Sequence, residues 1–444
     1  MNQSIWRLAK GLSLAAVAAT TVVAQAKDVQ LSVRTGASVS DNISRVPGDK
    51  TSDTIAEVGM GLSVDHQSRR LSVNALGDFA YQDYLQDTYD DEVTGNFSGN
   101  AELFIIPKYL SWVASETFGQ TRQDLSAGIT PANRENINTF ETGPDVTISL
   151  GGTNEFELFG RYNTIDYEET ALDSERISTG AGFKHLLSKQ SSIGLHIETE
   201  QVNYVDLGDF ADFDQQNAFV RYERYNDRNY LSVDAGVARI DGSDGEDDGP
   251  LARVSYTRNI TSRNVLWVEV SREFSDAGMS SSLYAGMPTT DLSDQALSLT
   301  SEPFTSDYAM VGWSIRGRRT DMQISGSRSK ETYSQSGSDR VRDEFSFDLT
   351  RAFGSGWTGG LSFNYDKSEF ESLEPDYAES SAGLSLSYQL SRRLFFDAAY
   401  SYSERTGDQS ASDYSENRVW LRVRYGEVAA NRFGSARRRE EISQ

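Results

Sequence analysis

The chain contains no cysteine, so no disulfide contributes to its fold and the lipid-modified cysteine of a lipoprotein is excluded. After the N-terminal segment it also lacks any run of about 18 apolar residues, which argues against a membrane-spanning helix. Basic residues are comparatively few: 42 Lys and Arg stand against 66 Asp and Glu, for a formal net charge of −24. This balance argues against nucleic acid as a partner, because phosphate binding requires Lys and Arg.

The N-terminal residues have the pattern of a secretory signal peptide. Arg7 and Lys10 precede an apolar run over residues 12–23, and a small-residue cleavage site (AQA) follows at residues 24–26. The apolar run is too short to span a bilayer as a helix. We therefore predict that residues 1–26 are a signal peptide.

Along the rest of the chain, apolar residues alternate with small or polar residues in some twenty segments. In residues 29–39 the odd positions are mostly apolar, and in residues 56–64 the even positions are. Strand side chains point alternately to opposite faces, so each segment has one apolar and one polar face. The segments run about 10 to 13 residues, the length of a tilted strand that crosses a bilayer. We predict an all-β fold for residues 27–425: a transmembrane, antiparallel, up-and-down β-barrel of about 18 to 20 strands.

The connections between these segments alternate in length and charge, as expected for such a barrel. Compact turns such as residues 151–154 and 317–320 carry basic residues, whereas longer stretches such as residues 83–92 and 241–249 are acidic. Tyr and Phe fall near the ends of the segments. Because amphipathic rings favour the headgroup level, we predict two aromatic girdles.

Charged residues on the parity opposite to the apolar side chains are predicted to line the lumen. Acids outnumber bases among them, and a wall of one charge sign selects against ions of that sign. This favours passage of a neutral or weakly charged glycan, or of cations. The candidates are Arg34, Glu57, Asp78, Glu102, Glu141, Asp145, Glu157, Arg161, Glu198, Arg221, Asp234, Arg253, Glu269, Asp348, Asp397 and Arg422.

The longest predicted loop covers residues 276–303 and carries several apolar side chains. A barrel of about 20 strands encloses a wide lumen unless loops fold into it. We therefore predict that this loop forms a constriction or a lid. The candidate residues are Met279, Leu283, Tyr284, Met287 and Leu292.

Few residues in the chain could support catalysis or a cofactor. There are only 3 histidines, of which His185 and His196 are predicted to be neighbours across a hairpin. No recognisable nucleophile motif accompanies them, which argues against an enzyme. No cofactor is expected. Acidic stretches at residues 209–214 and 244–249 could bind Ca²⁺ or Mg²⁺ weakly, although neither has the spacing of a calcium loop.

Several short motifs resemble those of a known family, and most of them lie in the first third of the chain. They occur at residues 40–43, 62–64, 69–74, 118–122, 131–134 and 139–140. With the barrel architecture, these motifs resemble the β-barrel porin 2 group, which includes outer-membrane proteins associated with exosortase and exopolysaccharide loci. The resemblance implies an outer-membrane, porin-like protein with a role in polysaccharide export. It further implies contact with the outer membrane and its lipopolysaccharide, and with polysaccharide-export machinery as a candidate partner.

The C-terminal segment ends differently from that of most outer-membrane barrels, in which an aromatic residue of the last strand ends the chain. Here the alternating residues 419–425 end in Tyr425, and a further stretch with three consecutive arginines follows. We predict that Tyr425 closes the barrel and that residues 426–444 form a basic periplasmic tail.

Three functions remain open from the sequence. The first is a porin-like channel associated with exopolysaccharide secretion. The alternatives are a general diffusion porin for small solutes or cations, and a structural or adhesive surface protein.

The acidic lumen gives a first test. We expect the purified protein in a planar bilayer to prefer cations over anions, because carboxylates outnumber basic groups among the lumen candidates. Reversal potentials in a salt gradient measure this preference. Strong anion selectivity would contradict it.

Overall fold

A computed structural model describes residues 28–426, except for residues 126, 209–210, 243–244, 279–300, 335, 372–374 and 410–411. The predicted signal peptide and all but the first residue of the predicted tail lie outside this range. Within it, no helix is long and apolar enough to span a membrane.

The described residues form twenty strands, the upper end of the predicted range. They are β1 (Asp28–Ser40), β2 (Asp53–Gln67), β3 (Leu71–Tyr84), β4 (Glu92–Ile106), β5 (Leu110–Arg122), β6 (Arg134–Leu150), β7 (Asn154–Tyr167), β8 (Ser174–Ser188), β9 (Ser191–Tyr204), β10 (Phe213–Tyr225), β11 (Asn229–Gly242), β12 (Gly245–Thr261), β13 (Asn264–Ser275), β14 (Phe304–Arg316), β15 (Thr320–Tyr333), β16 (Arg340–Gly354), β17 (Trp357–Phe370), β18 (Tyr377–Gln389), β19 (Leu394–Gly407) and β20 (Tyr414–Gly426). A single turn of 3₁₀ helix, Pro131–Asn133, precedes β6.

Each strand pairs antiparallel with the next along the chain, and the first pairs with the last. β1 and β20 are in register from Ser32 opposite Gly426 to Ser40 opposite Arg418. The sheet therefore has no free edge, and its backbone groups are satisfied by neighbouring strands. This confirms the predicted closed, up-and-down barrel.

The outer surface of the barrel is apolar. Leu31, Ile197, Val237 and Leu421 are 58%, 59%, 63% and 64% exposed, and all lie on the parity that the alternation assigned to the outside. So much exposed aliphatic surface is unfavourable in water but matches the hydrocarbon of a bilayer.

The acidic stretch at residues 241–249, predicted to be a loop, is largely a hairpin. β11 continues to Gly242 and β12 begins at Gly245, with Asp241 opposite Glu246. Arg239 forms an ion pair with Glu246 across the two strands. The Arg239–Glu246 ion pair offsets the like charges of the facing Asp241 and Glu246, and Gly245 with φ +124° begins β12, so the ladder continues through this acidic stretch.

Many aromatic residues at the loop end do not belong to a lipid-facing girdle, contrary to the prediction. Tyr81 and Tyr162 do face outward, but Tyr84, Tyr204 and Tyr333 are at most 5% exposed. The buried rings lie on the lumen parity of their strands, where they pack beneath the loops instead of at the headgroups.

The outer half of the lumen therefore contains an apolar core. Its larger cluster joins strands β6 to β13 with the start of the following loop, where Ala277 is fully buried. A smaller cluster joins Ile43 of the β1–β2 loop with Ile55 and Tyr84. The larger cluster comprises Ile137, Ile165, Tyr167, Leu172, Val202, Tyr204, Ala211, Phe213, Phe219, Ala238, Ile240, Leu251, Phe274 and Ala277.

One inward packing contact depends on a glycine. Trp267 on β13 lies opposite Gly312 on β14, and a Cβ at Gly312 would lie 2.0 Å from Cζ2 of the Trp267 ring. We expect Gly312→Val to destabilise the barrel by about 1 to 3 kcal/mol through overpacking, measured as a lower unfolding midpoint in detergent.

Gly326→Val, on the lipid-facing parity of β15, is the control for a valine without overpacking, since the nearest atom to a Cβ there is 3.6 Å away. The penalty at Gly312 should largely disappear in a Trp267→Ala background. Equal midpoints for the two valine variants would contradict the packing argument.

Candidate functional site

All of the charged lumen candidates lie on the inward parity of the barrel. The register carries this parity from strand to strand: Arg221 lies opposite Asp234, and Asp234 lies opposite Arg253. Glu57 likewise faces inward, because it lies opposite Gly36, which shares the inward face of β1 with Arg34. Their positions are thus as expected, and their part in transport stays a prediction.

Four of the candidates form one ion-pair cluster at the seam between β20 and β1. Arg34 Nη1 lies 2.5 Å from Asp78 Oδ2, and its Nε donates to Glu57. Arg422 Nη2 lies 3.0 Å from the second oxygen of Glu57. The cluster pairs two cations with two carboxylates, so it adds little net charge to the wall.

A second cluster surrounds the ring of Phe219 on β10. Arg221 donates two hydrogen bonds of 2.8 Å to Asp234, and Arg253 Nη1 lies 3.7 Å from the same carboxylate. The guanidinium carbons of Arg221 and Arg253 lie 5.2 and 5.6 Å from the centre of the Phe219 ring. Since a ring face attracts cations, the aromatic side chain holds the two arginines in place.

The other candidates are distributed over the wall. Arg161 Nη2 lies 2.6 Å from Asp145, and Arg161 Nε lies 3.7 Å from Glu141. Asp397 pairs with Arg424, which the candidate set did not include. Glu198 lies near the Phe219 cluster and interacts electrostatically with Arg221 and Arg253. The remaining candidates are Glu102, Glu157, Glu269 and Asp348.

A belt of hydroxyl and amide groups crosses the inner wall from β15 to β19, and the sequence reasoning missed it. Its members are paired in register from one strand to the next. The Oγ atoms of Ser325 and Ser346 lie 2.6 Å apart, and Asn364 Nδ2 lies 3.4 Å from Ser381 Oγ. All members are partly exposed to the lumen. We call this set the hydroxyl belt: Ser325, Ser346, Asn364, Ser381 and Ser403.

Some loop aspartates hold neighbouring strands together. Asp376, just before β18, accepts a 2.8 Å hydrogen bond from the backbone N–H of Phe370 at the end of β17. Its carbonyl accepts a second bond from Asp408 N, just after β19. Asp173, Asp212, Asp339 and Asp413 accept the same side-chain bond, at 2.7 to 2.9 Å, from the last residue of β7, β9, β15 and β19. Part of the acidity of the loops is therefore structural.

The predicted constriction residues Met279, Leu283, Tyr284, Met287 and Leu292 lie outside the described residues. The start of their loop is described, and it turns into the lumen. Asp276 accepts hydrogen bonds of 2.8 and 2.6 Å from the guanidinium of Arg176 on β8, and Ala277 is buried in the larger apolar cluster. The loop between β5 and β6 crosses the mouth of the barrel instead.

The prediction that His185 and His196 are neighbours is wrong. His185 lies opposite Ile193 and is exposed on the outer parity, where Nδ1 lies 2.7 Å from Asn154 Oδ1. His196 faces the lumen and stacks on Phe219, with ring centres 5.2 Å apart. The two side chains point to opposite faces because their separation in the register is odd.

Metal binding has no support from the described residues, where no three carboxylates or histidines converge on one point. Asp209 and Asp244 of the acidic stretches lie outside the described range. Weak binding of Ca²⁺ or Mg²⁺ at the outer loops stays a prediction.

Comparison with known families supports the resemblance seen in the sequence. The model of the family described as "Putative beta-barrel porin 2" matches residues 275–426. The match lies within the last two fifths of the chain and ends at residue 426, whereas the motifs that suggested the resemblance lie mainly in the first third. Together with the closed barrel and its apolar outer face, it locates the protein in the outer membrane as a porin-like barrel. No curated protein matches the chain.

Solved structures resemble the chain only distantly. The siderophore receptor PirA from Pseudomonas aeruginosa is 12% identical, with 89% of this chain and 80% of that chain covered and a TM-score of 0.41. The FrpB iron transporter from Neisseria meningitidis is 9% identical, with 91% and 82% covered and a TM-score of 0.47. OccK2 (OpdF) from Pseudomonas aeruginosa, in complex with glucuronate, is 11% identical, with 91% and 99% covered and a TM-score of 0.38.

The loop aspartates give a direct test. We expect Asp376→Ala to lower the hydrogen-exchange protection of the Phe370 amide roughly fivefold, since a lost hydrogen bond corresponds to about 1 kcal/mol. Asp376→Asn should retain most of the protection, because its side-chain carbonyl still accepts the bond. Equal protection in the alanine and asparagine variants would contradict this role of Asp376.

Proposed function

We propose that this barrel is a conduit for a neutral or weakly charged glycan and that it serves exopolysaccharide secretion. The coarser part, an outer-membrane porin-like barrel, follows from the fold and the family match. The cargo is the proposal. The proposed function includes no catalytic step and no cofactor. Lipopolysaccharide around the outer loops and export machinery at the turn end are its proposed partners.

The observation that carries this proposal is the hydroxyl belt. Ser325, Ser346, Asn364, Ser381 and Ser403 present neutral donors and acceptors side by side on adjacent strands. Adjacent strands lie about 4.8 Å apart, so the polar groups repeat at short intervals across the wall. A chain of sugar hydroxyls can exchange hydrogen bonds along such a surface without a strong site that would hold it in place.

The charges of the lumen support the same class of cargo. The seam cluster pairs two arginines with two carboxylates. In the Phe219 cluster, Arg221 pairs with Asp234 and Arg253 also pairs with Glu273 at 2.7 Å, so these cations are already neutralised. Other inward acids, such as Glu102 and Asp348, add negative charge to the wall. A polyanionic glycan would be repelled by this lumen, whereas a neutral glycan meets hydroxyl and amide groups.

The test is the amount of extracellular and periplasmic carbohydrate in a deletion strain, beside the same strain complemented with the gene. We expect extracellular polymer to fall on deletion and to return on complementation, because the conduit is the exit route. Unchanged polymer would contradict the proposal and favour a diffusion porin or a surface protein.

Complementation with belt variants separates the belt from the barrel itself. Ser346→Val, Ser381→Val and Ser403→Val in one protein should restore less polymer than the wild-type gene. The matched control carries Ser72→Val, Ser98→Val and Ser115→Val, inward serines of β3, β4 and β5 on another part of the wall. Equal secretion by the two triple variants would rule out a specific role of the belt.

A further inference from the structure

The loop between β5 and β6 crosses the mouth of the barrel. We call residues 123–125 and 127–133 the crossing segment. Arg405 on β19 donates hydrogen bonds of 2.9 and 3.1 Å to the carbonyls of Leu125 and Ala127. Since β20 and β1 to β4 lie between β19 and β5 on the shorter path around the sheet, these contacts can form only across the lumen.

One carboxylate on the far wall, that of Glu379, connects Arg405 with the end of β5. Glu379 on β18 accepts a hydrogen bond of 2.9 Å from Arg405 and one of 2.5 Å from Arg122, the last residue of β5. Arg122, Glu379 and Arg405 are 2%, 4% and 1% exposed. The two guanidiniums thus share this carboxylate, and carbonyls of the crossing segment accept further hydrogen bonds from both of them.

The crossing segment also contacts the β1–β2 loop. A Cβ on Gly128 would lie 3.2 Å from the Cβ of Arg45 and 3.1 Å from Cε1 of Tyr414. Arg45 in turn forms a 3.0 Å ion pair with Glu416 on β20, and its guanidinium lies over the Tyr414 ring. Two loops thus meet above the same part of the wall.

The contacts that hold the crossing segment differ from those that hold the start of the β13–β14 loop. The latter is embedded in the larger apolar cluster, so moving it would expose hydrophobic surface to water. The described contacts of the crossing segment include hydrogen bonds from Arg405 and Arg122 to its carbonyls, and Asn133 bonds to Gly128 within the segment. Ile129 is a buried apolar side chain of the segment. Water or a hydroxyl-rich solute can replace hydrogen bonds at small net cost.

We infer that the crossing segment is a gate across the outer mouth, latched by Glu379 against Arg122 and Arg405, and that it sets the size of the solutes that pass. The gate lies on the outer side of the hydroxyl belt, because Ser403 precedes Arg405 by two residues on β19 and Ser381 follows Glu379 by two on β18. The inference rests on the proposed function only in that the barrel conducts; it does not depend on the cargo.

Single-channel conductance of the purified full-length protein in potassium chloride tests the gate. Glu379→Gln removes the charge that compensates two buried arginines, so we expect the latch to open and conductance to rise. Glu344→Gln is the matched control: it also neutralises an inward carboxylate, on β16, but its partners are Arg342 and Ser327, outside the crossing segment. Equal conductance of the two folded variants would overturn the latch.

A disulfide gives an independent test that does not weaken the latch residues. The chain contains no cysteine, so Arg45→Cys with Gly128→Cys creates one unique pair. The 3.2 Å Cβ separation is slightly below the usual range of about 3.5 to 4.5 Å, which a small shift of either loop would restore. We expect the oxidised protein to have a lower conductance than the same protein after reduction. The conductance of the wild type should not change when the reductant is added.

Conductance that is unaffected by reduction, with the disulfide demonstrated, would show that the crossing segment does not move and would overturn the gate. Such a result would leave the proposed conduit intact. Absence of conductance in the wild type, the glutamine variants and the reduced cysteine pair would instead refute conduction itself, and the gate with it. Loss of polymer secretion is measured separately and bears on the cargo alone.

Discussion

The structure depends on closure of the sheet. In hydrocarbon no water can satisfy a backbone N–H or C=O, so a strand at the edge of an open sheet would carry a row of unpaired groups. The pairing of β1 with β20 removes that edge. This seam is made by residues far apart in sequence: Ser40 Oγ donates to Glu416 at 2.6 Å, and Arg418 donates to Ser38. Side-chain hydrogen bonds at the seam thus add to the backbone pairing that closes the sheet.

Closure also determines where the chemistry can lie. Because alternate side chains of each strand face lipid, polar groups within the membrane can lie only on the side chains that face the lumen. The wall uses this surface in two ways. Arginines and carboxylates form compact clusters around Glu57 and Phe219, while the hydroxyl belt stays neutral. In the described part of the outer mouth, an apolar core lies on one side and the contacts of Glu379 with Arg122 and Arg405 lie on the other.

The sequence was sufficient for the strands and for the direction of most side chains, because alternation is local. Arg221 and Asp234 could be placed in the lumen from their immediate neighbours alone. Arg122 could not: it lies on the outward parity of β5, yet at the last residue of the strand its side chain turns in to Glu379, far away in sequence. The girdle prediction failed at Tyr84 and Tyr204 for a different reason: it used only the closeness of rings to strand ends, whereas the inward parity of these two residues places their rings beneath the loops.

The aspartates at the ends of the loops have a consequence for how such a barrel can diversify. Asp339 binds the N–H of Tyr333 with its side chain and that of Glu371 with its carbonyl, so the strands around it are aligned by one residue. The residues between Tyr333 and Asp339 are then not needed to fix the register of these strands. Their sequence can therefore change while the wall beneath them keeps its geometry. The residues that build the wall and those that form the outer surface are in this way largely independent of each other.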